Sequence, residues 1–244
     1  MRYRFEIFKN HRIVQTFFSQ KGDGSMKLTN NPALSEKIFQ NRKVYFLKNN
    51  IDLAKVVSAE IVHDNKVVVI NEKNGEGVIL NADGLITRSK DIYSSITSAD
   101  CLPIFLFEPE KEIIGMIHAG WRSLEKNILT NAVSEIKKLG GLPKNILAGI
   151  GPAICQKHYE VGPEVAGKFE KYQEAIKREN NKLYLDLKKT TRLQLLELGI
   201  LKKNIEITPE CTFELPKKYF SARQNRKREI EAMIAVIGMI IDSN

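Results

Sequence analysis

The chain has 244 residues, 43% of them hydrophobic and 27% charged, with a formal net charge of +9. These proportions fit a globular protein with a sizeable core. No apolar run approaches the ~20 residues of a membrane-spanning helix, no secretory signal pattern opens the chain, and three scattered cysteines exclude a disulfide framework and a CxxC zinc ribbon. The expected location is therefore the cytoplasm, with no membrane partner. Basic pairs such as Lys137-Lys138, Lys202-Lys203 and Lys217-Lys218, and the run Arg226-Lys227-Arg228, are dispersed among acids. They read as a lysine-rich solvated surface rather than a nucleic-acid footprint, with a field that attracts anions such as phosphate.

In chain order, residues 2–8 and 12–19 alternate polar and apolar and predict two strands. Lys21-Gly22-Asp23-Gly24-Ser25 is a loop. Leu34, Ile38, Val44, Tyr45 and Leu47 predict a helix over 33–49, ended by Asn49-Asn50. Residues 54–62 predict a strand leading to His63, and the valines of 66–71 another. Asn81-Ala82-Asp83-Gly84 reads as a turn before Leu85-Ile86-Thr87. The nearly all-apolar runs 102–107 and 113–118 predict central strands buried on both faces.

Leu124 to Leu139 has helical spacing and stops at Gly140-Gly141. Strands are expected over 146–150 and 204–208, helices over 163–169 and 190–198, and a short element over 220–223. Residues 232–241 read as a buried helix or strand. No repeat or linker divides the chain, so one mixed α/β domain over 1–244 is expected.

Chemistry concentrates at three points. His63 follows one apolar strand, Cys101 precedes another, and His118 ends a third. Two imidazoles and a thiolate meeting at one sheet rim form a three-ligand set suited to zinc, with the fourth position open to water or substrate. His118-Ala119-Gly120-Trp121-Arg122 turns directly into a helix. Amides at a helix start and the Arg122 fork can hold an anion; Arg122 can equally pair with a structural carboxylate. Asp100 can orient a histidine, shuttle a proton or cap a turn. Cys155 and Cys211 read as small buried apolar residues.

Ser98-Ala99-Asp100-Cys101-Leu102-Pro103 and His118-Ala119-Gly120-Trp121-Arg122 resemble the two signature blocks of the YfiH-like, or laccase-domain, family. Gly151-Pro152-Ala153-Ile154 with Tyr159-Glu160-Val161-Gly162, Leu185-Asp186-Leu187 with Arg192-Leu193-Gln194-Leu195, Cys211-Thr212, and Phe220-Ser221-Ala222-Arg223 extend the likeness over roughly residues 15–240. Asn41-Arg42 matches a further pair. Three segments depart from the family pattern: Asp64 follows His63 where glycine is usual, Lys21 stands where arginine is common, and the Leu-Asn-Leu-Gly block that follows in the family is not recognisable.

The resemblance implies an α/β (α+β) fold of packed mixed sheets with helices outside, related to cytotoxic necrotizing factor. It places zinc ligands on His63, Cys101 and His118. It implies phosphorolysis of adenosine, inosine or methylthioadenosine, and deamination of adenosine. In that reading His63, Cys101, His118 and Asp100 are catalytic, Asp100 as a proton shuttle. Phosphate falls to Arg122, and secondarily to Arg42 and Arg223. Zinc is the expected cofactor, copper the alternative, and a monomer the expected state. Two rival enzymes are a metal-free cysteine hydrolase (an amidase) built on Cys101 and His118 and acting on a cell-wall (peptidoglycan) precursor, and a copper-dependent polyphenol oxidase. For the oxidase, one Cys/His₂ set supplies few ligands.

Overall fold

The computed structural model describes the chain except for residues 1–2, 30, 72–76, 226–228 and 242–244. The basic run 226–228 and residue 2 of the first expected strand therefore lie outside the described residues. The chain forms β1 (Val14–Phe18), α1 (Pro32–Lys48), β2 (Val56–Ala59), β3 (Val67–Val69), β4 (Gly77–Ile79) and β5 (Gly84–Thr87). Next come β6 (Tyr93–Ser98), β7 (Leu102–Glu108), β8 (Ile113–Ala119), α2 (Trp121–Glu125), α3 (Ile128–Lys138) and β9 (Leu147–Ile150). Then follow β10 (Glu160–Val161), α4 (Pro163–Gly167), β11 (Ile176–Glu179), β12 (Lys182–Leu185), α5 (Leu187–Glu197), β13 (Ile205–Ile207) and β14 (Met233–Met239).

Three sheets result. One has the order β1-β14-β6-β2-β4, one β13-β9-β7-β8-β5-β3, and a small one β10-β12-β11. Alternation along the strands explains how the two large sheets stack. On β14, Met233, Ala235, Ile237 and Met239 enter the same apolar cluster as Phe105 and Phe107 of β7 and Ile114 and Met116 of β8. The opposite face of β14, Ile234 and Val236, packs with Tyr45 and Phe46 of α1. The opposite faces of β7 and β8, including Ile104, Leu106 and Ile117, pack with Ile128, Leu129, Ala132, Val133 and Ile136 of α3 and Leu195 of α5. The layers run α1, five-stranded sheet, six-stranded sheet, α3 and α5. This is the mixed α/β architecture expected, and β7 and β8 are buried throughout as their composition demands.

Several local expectations differ. Residues 6–8 form a 3-10 turn instead of a strand, which brings Phe5 and Phe8 together into the inter-sheet core. Val44 and Leu47 of α1 are exposed. The helix buries Ile38, Arg42, Tyr45 and Phe46 instead, so the register of its inner face differs from the apolar count. The helix expected over 124–139 is two helices, broken where Asn127 adopts a left-handed φ of 63°. His63 does not follow its strand directly; β2 ends at Ala59 and His63 sits in the succeeding loop. Residues 220–223 form no strand, and 233–239 settle as one. Strand β6, Tyr-Ser-Ser-Ile-Thr-Ser, has no apolar signature, yet it lies in the middle of its sheet. Its Ser95 hydroxyl pairs with Ser58 of β2 at 2.8 Å, which satisfies one of the strand's buried hydroxyls.

Phe105 is fully buried between the sheets, with its ring 5.2 Å from that of Phe5. Phe105→Ala is expected to cost about 3–5 kcal/mol, read as a lowered midpoint in urea unfolding.

Candidate functional site

Asp83, in the turn before β5, is fully buried. Its carboxylate accepts the backbone N–H groups of Val62 at 3.2 Å, His63 at 2.9 Å and Asp64 at 3.0 Å. It thereby folds the loop that carries His63, whose φ of 60° places it in the left-handed region. The same carboxylate accepts from His118 Nδ1 at 2.9 Å, and the Asp83 carbonyl accepts the His118 N–H at 2.8 Å. With Nδ1 donating to Asp83, Nε2 of His118 faces the site and offers a lone pair once its proton is displaced, the arrangement of a ligating histidine.

Cys101 ends the crossing from β6 to β7. The preceding Asp100 has φ 83°, a conformation that needs external support. Its carboxylate accepts Thr212 Oγ1 at 2.6 Å, Ser221 Oγ at 3.0 Å and the Arg223 N–H at 2.7 Å, while its carbonyl accepts the Ile154 N–H at 3.0 Å. Ser98 Oγ donates to the Cys101 carbonyl at 2.5 Å. Asp100 thus holds the turn that presents the thiol, and its carboxylate oxygens are occupied by these donors.

The ligand atoms of His63, Cys101 and His118 all lie within 4.8 Å of one another. The two imidazole rings meet edge to face, centroids 4.9 Å apart. Gly120 completes the fit, since a Cβ there would come within 2.9 Å of Cys101 Sγ. His63 is exposed, Cys101 half-buried and His118 buried, so the set is open on one side. Burial opposes ionisation of Cys101, but the charge and hydrogen bond of His118, and the hydrogen bond of His63, outweigh it and hold the thiol down at about 6. His118 rises to about 9: burial again opposes, and Cys101 and Asp83 outweigh it. Such a site gives up its thiol proton readily, as metal binding requires.

The three arginines differ in their surroundings. Arg122, on the five-residue α2, is exposed with its guanidinium 4.4 Å from the Trp121 ring centroid. The alternative, a structural carboxylate partner, is not seen among the described residues. Arg223 stacks over Tyr159 at 4.9 Å and donates to the Glu160 carbonyl at 2.9 Å. Tyr159 is held protonated, its phenol raised first by burial and then by the charges of Cys101 and Asp100. Arg42 is buried beneath α1, donating to the Met26 carbonyl at 3.1 Å and to Ser58 Oγ. It lines an ~80 Å³ cavity with Ser58, Glu60, Ile61 and Thr97, beside the start of the His63 loop. Burial lowers it to about 10.

Sequence reasoning missed Asp83 and Tyr159. The Asp-Gly turn before a strand was visible, as was Tyr159 in its motif, but nothing local tied either to a histidine or thiol distant in the chain.

Residues 25–240 match the family model described as "Multi-copper polyphenol oxidoreductase laccase". "Purine nucleoside phosphorylase YlmD" of Bacillus subtilis (strain 168) is 28% identical, with 94% of this chain and 90% of that protein covered. "Adenosine deaminase RL5", from an unknown prokaryotic organism, is 29% identical, with 77% of each covered. The crystal structure of YlmD from Geobacillus stearothermophilus superposes with a TM-score of 0.88 at 24% identity, covering 97% of this chain and 94% of that one.

In metal-free protein, alkylation of Cys101 by iodoacetamide, followed by peptide mass spectrometry, is expected to reach half its limiting rate near pH 6. Asp83→Asn removes an anion that supports the His118 cation, so the midpoint is expected to move upward. Gly120→Ala should weaken metal binding at least tenfold by pushing Cys101 Sγ away, measured by competition with a chromophoric chelator.

Proposed function

The chain belongs to the multi-copper polyphenol oxidoreductase laccase family, and from that membership we propose that it is a purine nucleoside enzyme. It cleaves adenosine, inosine or methylthioadenosine with phosphate, and deaminates adenosine. The observation that carries this reading is the convergence of His63, Cys101 and His118 in a chain similar to proteins named for both activities.

The donor set suits a single zinc ion better than several copper ions. The chain has four histidines, and only two of them are in the cluster; a multicopper centre needs many more imidazoles. Zinc held by His63, Cys101 and His118 would supply Lewis acidity and an ionised water near neutral pH. The remaining work falls to the protein. Asp83 orients His118 and the His63 loop. Asp100 serves as a positioning residue for Cys101 rather than a proton shuttle, because its oxygens already accept from Thr212, Ser221 and Arg223. Arg122 and Arg223 supply forks for phosphate. Tyr159, which retains its proton, donates a hydrogen bond to substrate. Arg42 supports the cavity beside the loop and is the weakest of the three phosphate candidates, being already engaged with Met26 and Ser58.

Among the described residues no helix is long and apolar enough to cross a membrane. The three cysteines are free, as suits a reducing compartment, so we assign the protein to the cytoplasm, acting as a monomer on small molecules.

A second reading draws on the alignment of Cys101, His118 and Asp83, which also suits a metal-free cysteine hydrolase acting on an amide. The two readings part on one experiment. Chromatographic product analysis of metal-replete protein with adenosine, with and without phosphate, is expected to give phosphate-dependent adenine release and inosine formation. Both should fall at least a hundredfold in Cys101→Ala. No turnover of adenosine, inosine or methylthioadenosine, together with amide hydrolysis by metal-free protein, would favour the hydrolase. Arg223→Ala is expected to raise KM for phosphate about tenfold with a smaller change in kcat.

A further inference from the structure

Two short turns outside this site bring together a second group of metal-binding side chains. Cys155 caps a 3-10 turn over Gln156–His158, and residues three apart on such a turn lie on one side. Cys155 and His158 therefore face the same way. The other turn follows Cys211, which is bridged in parallel to Ala153. Thr212 N–H donates to the Ala153 carbonyl at 3.2 Å, and Cys155 N–H to Cys211 Sγ at 3.2 Å. These contacts clamp the two turns and place Glu214 opposite His158.

The ligand atoms of Cys155, His158 and Glu214 lie within 4.8 Å of one another. His158 Nε2 is 3.0 Å from Glu214 Oε1, close to the separation of two ligands on one ion with bonds of about 2.0–2.2 Å. The His158 ring is already fixed, stacked on Phe213 with centroids 4.3 Å apart and planes 20° from parallel. Glu214 is exposed and the other two are half-buried, so an ion can enter from solvent. Lys157 Nζ, 3.6 Å from the same Glu214 oxygen, must swing aside; it is itself exposed and free to do so.

We propose that Cys155, His158 and Glu214 form a second metal site, for a zinc-class divalent ion, separate from the His63, Cys101 and His118 set. One thiolate, one imidazole and one carboxylate are a borderline-soft donor set that favours zinc over magnesium or calcium. Binding releases the Cys155 thiol proton to solvent. The role is structural. Ile154 and Thr212, each next to one of the two cysteines, hold Asp100 through its carbonyl and its carboxylate. An ion joining the two turns braces the support of the Cys101 turn without touching substrate. The site stands whether or not the protein acts on nucleosides.

The test uses the full chain carrying Cys101→Ser, which removes the first site's thiolate. Titrated with cobalt(II), this protein is expected to bind an ion that shows a thiolate-to-metal charge-transfer band. Cys155→Ser added to it should abolish the band. His158→Gln, at a half-buried position where loss of fold is not expected, should weaken binding at least tenfold; thermal melting of each metal-free variant checks the fold. Absence of the band in the Cys101→Ser protein, or its survival after Cys155→Ser, overturns the proposal. So does a Cys155–Cys211 disulfide in the unreduced protein, found by peptide mass spectrometry, because it would make these thiols a redox pair.

Discussion

One buried carboxylate governs the geometry of the candidate active site. Asp83 accepts three successive loop amides and the Nδ1 proton of His118. A carboxylate with so many donors is held below the ordinary range: burial works against it, but the His118 and loop hydrogen bonds prevail. The charge is therefore permanent under physiological conditions. Through it the His63 loop and the β8 histidine are fixed relative to each other. Neither histidine could be moved without leaving part of that buried charge unsatisfied, which is among the more expensive changes a fold can suffer.

The third member of the cluster owes its place to topology. The chain passes from β6 in one large sheet to β7 in the other through Ala99, Asp100 and Cys101. The site thus lies where the two sheets are stitched together, and the stitch contains a residue at φ 83°. Strain there is sustained by hydrogen bonds from the 154, 212, 221 and 223 regions. Late segments of the sequence therefore act on an early reactive residue. Such convergence is typical of strained backbone at functional sites.

Much of the core was legible because single interactions dominate there. Leu102–Phe107 and Ile113–Ile117 are apolar on both faces and have no stable position except a central one. The thiol and two imidazoles were legible because few other side chains in the chain offer soft donors. What stayed hidden depended on pairs distant in sequence. Ser-rich β6 is a strand only because β2 and β14 flank it. The break at Asn127 depends on one backbone angle, which the helical spacing of Leu124–Leu139 does not encode. Arg42 sits in a family motif and reads as a ligand for anions; whether its guanidinium meets solvent or the Met26 carbonyl is decided by how α1 rolls against its sheet. Asp83 and Tyr159 gain their roles from partners 19 and more residues away.

The placement of β14 has a consequence for how the molecule is made. Residues 233–239 lie between β1 and β6, and among the described residues β14 is the one strand paired with β1. While the nascent chain emerges from a ribosome, the first strand must wait more than two hundred residues for its partner. During that interval Phe17 and Phe18 lack the β14 face against which they are buried in the finished molecule. Pairings of such long sequence separation form late and leave adhesive edges uncovered. The six-stranded sheet, whose members all occur before residue 208, can assemble beforehand and serve as the template onto which the five-stranded sheet closes. Chaperone dependence during synthesis would therefore be expected to track β14 rather than the reactive cluster, whose own residues are all translated more than a hundred residues earlier.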